Sequence, residues 1–292
     1  TAAPNFGLSR VIQAIRPGSL EGLDLSSVRC ILNGSEPINV DIMENFTQAL
    51  QPAGLPETAM SPGYGLAEAT LAVTMLTPEE KSRIHWLDRS SLDSPEGVIS
   101  VSKDHPDAIA LTDEGRPIQG SEVRIVTEQE ELVRQGVVGQ IQIRGPHVMK
   151  GYVGHPDIGK DEWFTTGDLG FIMEDRLCVT GRLKDILMVN GRNFYAHDME
   201  AIAEKVEGIT PGRVAVVGSR DPQSGAERVI VFARIKSSPL LDEAEILLRL
   251  KHEMGQAMGF PVDHVIPVEG KDFPRTTSGK LQRYKLRDRF EQ

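Results

Sequence analysis

Up to residue 70, the chain alternates between apolar positions at helical spacing and short continuous apolar runs. Leu8, Val11 and Ile15 fall on one helical face, whereas the run at residues 28–32 has the length of a buried strand and ends at an Asn-Gly pair. Helices that alternate with buried strands are typical of an α/β layer with parallel strands. The pattern predicts helices over residues 8–16 and 40–50 and strands over residues 28–32 and 60–64.

The pattern changes after residue 71. Residues 77–110 are polar, contain scattered prolines and show little periodicity, so they predict no regular element. Short apolar stretches punctuated by glycine and proline follow, which is typical of a small β-barrel or a curved sheet. Strands are predicted at residues 121–126, 139–144, 171–173 and 177–180.

A third pattern begins at Gly181, where short strands are followed by amphipathic helices. This order predicts an α+β domain of about 110 residues. We therefore expect one domain over residues 1–182 and a second over residues 183–292. Within the second, strands are predicted at residues 186–189, 214–217 and 229–234, and helices at residues 196–206 and 241–258.

Composition limits the classes of function. The 292 residues suffice for two domains with cores of their own, and 39% hydrophobic and 25% charged residues indicate a soluble globular protein. The chain has no apolar run of membrane-spanning length, and its net charge of −10 argues against a nucleic-acid partner. Two cysteines in apolar contexts and an opening without a signal-peptide pattern predict a cytoplasmic protein. The seven histidines lack metal-ligand spacing.

Lys280 lies near the C-terminus and follows the small polar residues of segment 276–279. A lysine on such a loop can be delivered to a nucleotide as a mobile point charge. The alternative is a solvated surface lysine, which is the commonest environment of this residue type.

The segment Tyr-Gly-Leu-Ala-Glu follows the strand predicted at residues 60–64. Tyr64 can present its ring to a base, and Gly65 lets the backbone approach a ligand closely. Glu68 would then lie at the carboxyl edge of the sheet, where one carboxylate and triphosphate oxygens form an ordinary Mg²⁺ site. The alternative is a glutamate that stabilises the first turn of a helix.

Two further segments have both a ligand-binding and a structural interpretation. Asp168 follows Thr-Thr-Gly and could accept both hydroxyls of a ribose, with Arg182 as a second contact, or it could cap its own turn. Gly34, Ser35 and Glu36 could form a backbone platform against adenine or a turn into a helix.

Segments 64–71, 115–118, 163–170, 181–185 and 274–283, taken in order, resemble the motifs of the acyl/adenylate-forming superfamily. Within it, Ala-Pro-Asn-Phe at residues 3–6 and Gly-Arg-Asn-Phe-Tyr-Ala-His-Asp-Met-Glu at residues 191–200 look like fatty acyl-AMP ligases. The second segment departs from that group's pattern at Phe194, Ala196 and Met199. Residues 77–110 could hold the insertion that the group carries.

The resemblance implies an α/β fold: the C-terminal part of a large adenylate-forming domain, an α/β layer plus a small β-barrel, followed by a small mobile α+β domain. It implies that ATP and Mg²⁺ activate a fatty or related carboxylic acid to acyl-AMP, and that the acyl group passes to the phosphopantetheine thiol of an acyl carrier protein. The alternatives are an acyl-CoA ligase and an inactive, adenylate-forming-like binding module.

The resemblance also assigns roles. Lys280 would bridge carboxylate and phosphate oxygens during catalysis, and Lys184 would be the hinge of the small domain. Asn5 would lie near the acyl pocket. The other expected ligand contacts are Glu68 with Mg²⁺, Asp168 and Arg182 with ribose, and Tyr64, Gly65, Gly34, Ser35 and Glu36 around the rest of the nucleotide.

The family's phosphate loop, rich in Ser, Thr and Gly, has no counterpart in the sequence. In the family this loop precedes the segment with which the chain starts. We therefore expect that residues 1–292 alone adenylate very poorly.

Overall fold

The computed structural model describes residues 1–159, 161–189, 191–221, 227–236, 242–269, 272–276 and 280–292. The chain divides into a first unit, Thr1–Leu183, and a second unit, Lys184–Gln292. No helix among the described residues is long and apolar enough to cross a membrane.

The first unit begins with a parallel α/β layer. Its elements are helix α1 (Asn5–Ala14), strand β1 (Ile31–Asn33), helix α2 (Val40–Leu50) and strand β2 (Met60–Tyr64). Strand β1 pairs in parallel with β2, which confirms the predicted layer. Helix α2 begins after Asn39, whose side-chain oxygen accepts the N–H of Ile42 at 3.0 Å and so satisfies a free donor of the first turn. One core joins both helices to both strands and includes Leu8, Ile31, Met43, Phe46, Leu50 and Met60.

The polar segment 77–110, for which the sequence predicts no regular element, contains strand structure. The elements that follow β2 are strands β3 (Thr74–Met75), β4 (Ile84–Asp88), β5 (Ala108–Thr112) and β6 (Arg116–Pro117). Strand β4 pairs antiparallel with β5, and β3 pairs antiparallel with both β2 and β6. Leu87 is buried but its neighbours in β4 are only half-buried, so β4 lacks the alternation from which a strand is recognised.

A second sheet of the first unit has the order β10-β9-β8-β7. Its strands are β7 (Glu122–Val126), β8 (Gly139–Arg144), β9 (Phe164–Met173) and β10 (Arg176–Arg182), which pair antiparallel. Glu174 and Asp175 join β9 to β10 with positive φ values of 49° and 64°, as a tight hairpin turn requires. Both strands extend beyond the predicted residues 171–173 and 177–180, because their pairing continues through polar residues.

The second unit places helices on both faces of a sheet with the order β13-β14-β15. Its elements are strands β11 (Ile186–Val189) and β12 (Arg192–Tyr195), helix α3 (Ala196–Ala203), strands β13 (Ile209–Arg220) and β14 (Glu227–Ile235), helix α4 (Glu243–Met258), strand β15 (His264–Pro267) and helix α5 (Arg283–Glu291). Successive residues of β13 join different cores, since Val216 packs with α3 and α4 whereas Val217 packs with α5.

Two helices of this unit differ from the prediction. Helix α3 ends at Ala203 rather than at residue 206, and α5 was not predicted. Leu286 is the buried side chain of α5, and the many charged residues around it hide the apolar period that marks a helix. Helix α4 agrees closely with the prediction; Asp242 caps its N-terminus by accepting the N–H of Glu245 at 2.7 Å.

Candidate functional site

Tyr64, Asp168 and Arg182, which the sequence analysis singled out separately, meet in the first unit. The hydroxyl of Tyr64 donates to Oδ2 of Asp168 at 2.7 Å, and Nε of Arg182 donates to Oδ1 at 2.8 Å. Tyr64 ends β2, whereas Asp168 and Arg182 are paired residues of β9 and β10. The sheet that contains β2 and the sheet that contains β9 and β10 therefore meet at this carboxylate.

Burial fixes the protonation state of the phenol. Tyr64 and Asp168 are buried, while the side chain of Arg182 is about half exposed at 47%. Burial, followed by the charge of Asp168, raises the pKa of Tyr64 well above its usual value. The hydroxyl therefore remains a donor, and the Asp168 carboxylate is held by one buried and one exposed partner.

Glu114 is a further acid of this site that sequence reasoning missed. Burial, followed by the charges of Asp168 and Asp113, raises the pKa of Glu114 to about 8. Its backbone N–H donates to the carbonyl of Leu177 at 2.7 Å, and its carbonyl accepts from Thr74 Oγ1 at 2.7 Å. Because the sequence Thr-Asp-Glu-Gly-Arg looks like an exposed turn, no signal in it predicts a buried carboxyl.

Glu68 lies in a short 3₁₀ turn, Ala67–Ala69, directly beyond β2. Its Oε1 accepts the hydroxyl of Tyr152 at 2.6 Å, and its backbone carbonyl accepts the N–H of Met149 at 2.7 Å. This hydrogen bond to Glu68, followed by partial burial, raises the pKa of Tyr152. Segment 149–152 thus fixes both the backbone and the carboxylate of Glu68, a contact that the sequence analysis did not anticipate.

Close backbone approach accounts for two of the predicted glycines. A Cβ added to Gly65 would lie 1.6 Å from the carbonyl oxygen of Leu71, and one added to Gly34 would lie 2.7 Å from that of Gly63. Ser35 follows Gly34 with a positive φ of 72°. The glycines therefore let the chain turn tightly at the ends of β1 and β2, which is the edge where α/β sheets bind ligands.

Asn5 and Glu36 make contacts that connect α1 to the entry of α2. Nδ2 of Asn5 donates to the carbonyl of Pro37 at 2.8 Å, and its Oδ1 accepts the N–H of Asn39 at 3.2 Å. Glu36 Oε1 accepts the N–H of Phe6 at 3.4 Å. These contacts give both residues a structural role, and their expected contacts with ligands remain predictions.

Lys280 and Lys184 belong to the second unit. Lys280 is exposed; its carbonyl accepts the N–H of Thr276 at 2.8 Å, and its N–H donates to Thr276 Oγ1 at 3.0 Å. Residues 277–279, which the sequence analysis placed beside it, lie outside the described residues. Lys184 lies in the 3₁₀ turn Leu183–Asp185. The catalytic and hinge roles remain predictions.

Glu68 is the residue that could hold Mg²⁺. Within the described ranges there is no group of three or more His, Cys, Asp or Glu side chains that could bind a metal ion. Mg²⁺ that accompanies a nucleotide commonly uses one or two carboxylates together with phosphate oxygens and water. A single oriented carboxylate fits that mode of binding and does not fit a metal site built from protein ligands alone.

The Asp168 carboxylate, held between a guanidinium and the phenol that ends the parallel strand β2, defines a candidate nucleotide-binding site. Residues 6–153 match the family described as AMP-binding enzyme. The chain therefore belongs to the AMP-binding enzyme family.

Individual proteins and solved structures are also similar to the chain. The chain is 31% identical to 4-hydroxyphenylalkanoate adenylyltransferase of Mycobacterium tuberculosis, over 99% of the chain and 49% of that protein. It is 30% identical to long-chain-fatty-acid–AMP ligase FadD32 of Mycolicibacterium smegmatis, over 97% of the chain and 52% of that protein. A solved structure from work on fatty acyl-adenylate ligases of E. coli and L. pneumophila superposes with a TM-score of 0.87 at 28% identity, covering 99% of the chain and 52% of that structure. The chain thus spans about half the length of the relatives it matches.

Proposed function

We propose that the full-length protein activates a fatty or related carboxylic acid with ATP and passes the acyl group to the phosphopantetheine thiol of an acyl carrier protein. The observation that carries this proposal is the arrangement of Tyr64 and Arg182 around the Asp168 carboxylate in a member of the AMP-binding family. One relative named as a long-chain-fatty-acid–AMP ligase and another named as a 4-hydroxyphenylalkanoate adenylyltransferase support the substrate class.

In the first step, a carboxylate oxygen of the acid attacks the α-phosphorus of ATP, and pyrophosphate leaves with the electrons of the broken P–O bond. Asp168 accepts the ribose hydroxyls, while Tyr64 fixes the orientation of the carboxylate that does so. Lys280 supplies positive charge to the oxygens on which negative charge develops, a role that a mobile ammonium performs well.

In the second step, the thiol sulfur attacks the acyl carbonyl of acyl-AMP. A thioester C–S bond forms, the thiol proton passes to water, the electrons of the broken C–O bond stay on the phosphate oxygen, and AMP leaves. Arg182, whose side chain is half exposed beside the buried Asp168, would retain AMP until this bond breaks.

Glu68 would hold Mg²⁺ through its carboxylate, with Tyr152 as the hydrogen-bond donor that orients it. The ion, when bound, neutralises charge on the phosphate oxygens. The chain's own contribution is to fix the direction of one carboxylate at the edge of the sheet.

A product assay on the full-length protein tests the proposal. The protein receives a fatty acid, ATP and Mg²⁺, with either CoA or a phosphopantetheinylated carrier protein as acceptor. We expect acyl-AMP to accumulate with CoA and acyl transfer to occur only with the carrier. Efficient formation of acyl-CoA would assign the protein to the acyl-CoA ligases, and no adenylate with any acid would indicate a binding module.

Asp168→Asn tests the site itself. Hydrogen bonds to a charged group contribute about 1.5–3 kcal/mol, so we expect the KM for ATP to rise roughly 10- to 100-fold. Asp175→Asn is the matched control, because it removes a carboxylate from the β9–β10 turn and asparagine tolerates the positive φ there. Equal KM values for the two variants would argue against a ribose contact at Asp168.

A further inference from the structure

Arg283, the first residue of α5, contacts two different segments of the second unit. Its Nε and Nη2 donate to Oε1 and Oε2 of Glu200, both at 2.7 Å, which is a bidentate pair. Its Nη1 donates to Oδ2 of Asp185 at 3.2 Å. The guanidinium therefore joins the start of α5 to α3 and to the residue that follows Lys184.

Glu200 is itself firmly held. It lies on α3, it is 9% exposed, and its Oε1 also accepts the backbone N–H of Val216 in β13 at 2.9 Å. A buried carboxylate that accepts from both a guanidinium and a sheet amide cannot turn without leaving a donor unsatisfied. Arg283 is thus bonded to a fixed point of the second unit.

Residues 280–282 lie directly before Arg283 and pair with residues 274–276; these two segments are called the Lys280 loop here. Besides the contacts between Thr276 and Lys280, Arg275 forms an antiparallel bridge with Leu281, and the N–H of Gln282 donates to the carbonyl of Pro274 at 3.0 Å. These bonds close the base of the loop, and Arg283 joins that base to α3 and to the 3₁₀ turn Leu183–Asp185.

We propose that Arg283 is a positioning residue that makes the Lys280 loop move as one body with the segment that follows Lys184. The proposal rests on the catalytic role proposed for Lys280. With Arg283 in place, a backbone rotation at Lys184 changes the direction of Asp185, Glu200 and Arg283 together, and Lys280 follows. Without the bidentate pair, the base of the loop loses its connection to α3 and keeps only the hydrogen bonds of other residues, such as that of Arg275 to the Gly212 carbonyl, so the ammonium spreads over several positions.

Arg283→Lys in the full-length protein is the principal test, because it keeps the positive charge and loses the bidentate geometry. A misplacement of about 1 Å at a reacting group can cost roughly 100-fold in rate, so we expect kcat of acyl-AMP formation to fall roughly 10- to 100-fold. The KM for ATP should change little, because the predicted ribose contacts belong to other residues. Arg249→Lys is the matched control, since Arg249 pairs with Glu207 on the surface of the same unit and should keep the wild-type kcat.

A second readout does not depend on activity. Hydrogen–deuterium exchange of the peptide over residues 280–286 should be faster in Arg283→Lys than in the wild type, while peptides of α4 exchange as before. Unchanged exchange together with an unchanged kcat would overturn the proposal. A fall in kcat that is matched by loss of protection throughout the second unit would also overturn it, because the defect would then be one of folding.

Lys280→Ala separates this proposal from the proposed function. If Lys280→Ala adenylates at the wild-type rate, the catalytic role of Lys280 is wrong, and Arg283 then has no catalytic group to position. The exchange measurement still decides whether Arg283 orders the loop. If Lys280→Ala is inactive and Arg283→Lys retains full kcat, the role of Lys280 stands and the positioning role of Arg283 is refuted.

Discussion

Glu114 provides a prediction at the scale of single residues. The pKa of Glu114 is about 8 in the folded protein, whereas the ordinary glutamate value of 4.5 applies to the unfolded chain. The folded state therefore binds the proton more tightly than the unfolded state does. The stabilisation that comes from this tighter proton binding is fully present below about pH 4.5 and is lost as pH rises to about 8. Between these two values the free energy of unfolding falls by up to about 1.4 kcal/mol per pH unit. Glu114→Gln should remove this slope.

Urea unfolding followed by tryptophan fluorescence across that pH range measures the effect. Both tryptophans, Trp86 and Trp163, lie in the first unit, so the signal reports on the unit that contains Glu114. The difference between wild type and variant cancels the titration of other groups. The same pH slope in both proteins would show that Glu114 is ionised in the folded state at neutral pH.

Tyr152 provides a second prediction at this scale. Partners that orient a metal-binding carboxylate commonly contribute 10- to 100-fold to metal affinity, so Tyr152→Phe should weaken binding by roughly 10-fold. Mn²⁺ titration followed by electron paramagnetic resonance, with ATP present, measures the affinity directly. Tyr284→Phe, a change at an exposed tyrosine of the second unit, is the control. An unchanged Mn²⁺ affinity in Tyr152→Phe would argue against Glu68 as the metal ligand.

The sequence identified only part of the site. Tyr64, Asp168 and Arg182 could be found because each lies in a motif of recognisable spacing. Glu114 and Tyr152 could not be found, because their importance comes from burial and from contacts across 84 positions in the case of Tyr152 and Glu68. Such contacts depend on the packing of sheets, which no local pattern encodes.

At the scale of helices and strands, the turn after β2 depends on Gly65. An alanine Cβ there would lie 1.6 Å from the Leu71 carbonyl oxygen, so the backbone that carries Glu68 must shift. Overpacking of this kind costs about 1–3 kcal/mol, and we expect Gly65→Ala to lower the free energy of unfolding by that amount. Urea unfolding followed by tryptophan fluorescence measures it.

Gly255→Ala serves as the control for this prediction. Its Cβ would lie in ordinary contact, 3.6 Å from the Phe260 carbonyl oxygen, within helix α4. Alanine favours a helix over glycine by up to about 1 kcal/mol, so circular dichroism should show equal or greater stability. If Gly65→Ala unfolds like the wild type, the turn is looser than its backbone contacts indicate.

Arg176, at the start of β10, links that strand to two other segments of the first unit. Its guanidinium bonds to Asp113 at 3.0 Å and to Glu80 at 2.6 Å, and Asp113 is fully buried. Removing one partner of a buried pair costs about 3–5 kcal/mol, because it leaves an unpaired charge. Arg176→Met should lose about that much stability in the tryptophan-monitored unfolding.

Arg134→Met is the matched control, since Arg134 pairs with Glu96 on the surface and should cost at most about 1 kcal/mol. Similar losses in the two variants would mean that water reaches the Arg176 pair.

Elements with an apolar period were found from the sequence, although the helix predicted at residues 8–16 lies at Asn5–Ala14 and the strand predicted at residues 28–32 lies at Ile31–Asn33. Helix α2 and strand β8 have the predicted bounds because burial follows their apolar pattern, and strands β2 and β11 also have the predicted bounds. Helix α5 and strand β4 each present a narrow buried stripe within polar sequence, so tertiary packing, rather than local pattern, determines them.

At the scale of the whole molecule, the second unit has cores on both faces of its own sheet. A domain of this size can bury enough apolar surface to fold by itself. We therefore expect residues 184–292, expressed alone, to unfold cooperatively in urea as judged by circular dichroism. A gradual, non-cooperative loss of signal would show that the second unit requires the first.

Both cysteines of the chain, Cys30 and Cys178, lie in the first unit. Cys178 is fully buried in β10, and burial, followed by the charges of Asp113 and Glu114, raises its thiol pKa. A thiol reagent can reach it only when that strand opens, since the reactive thiolate needs both exposure and a lower pKa. In a Cys30→Ser background, the rate of alkylation therefore measures how often β10 opens spontaneously under native conditions.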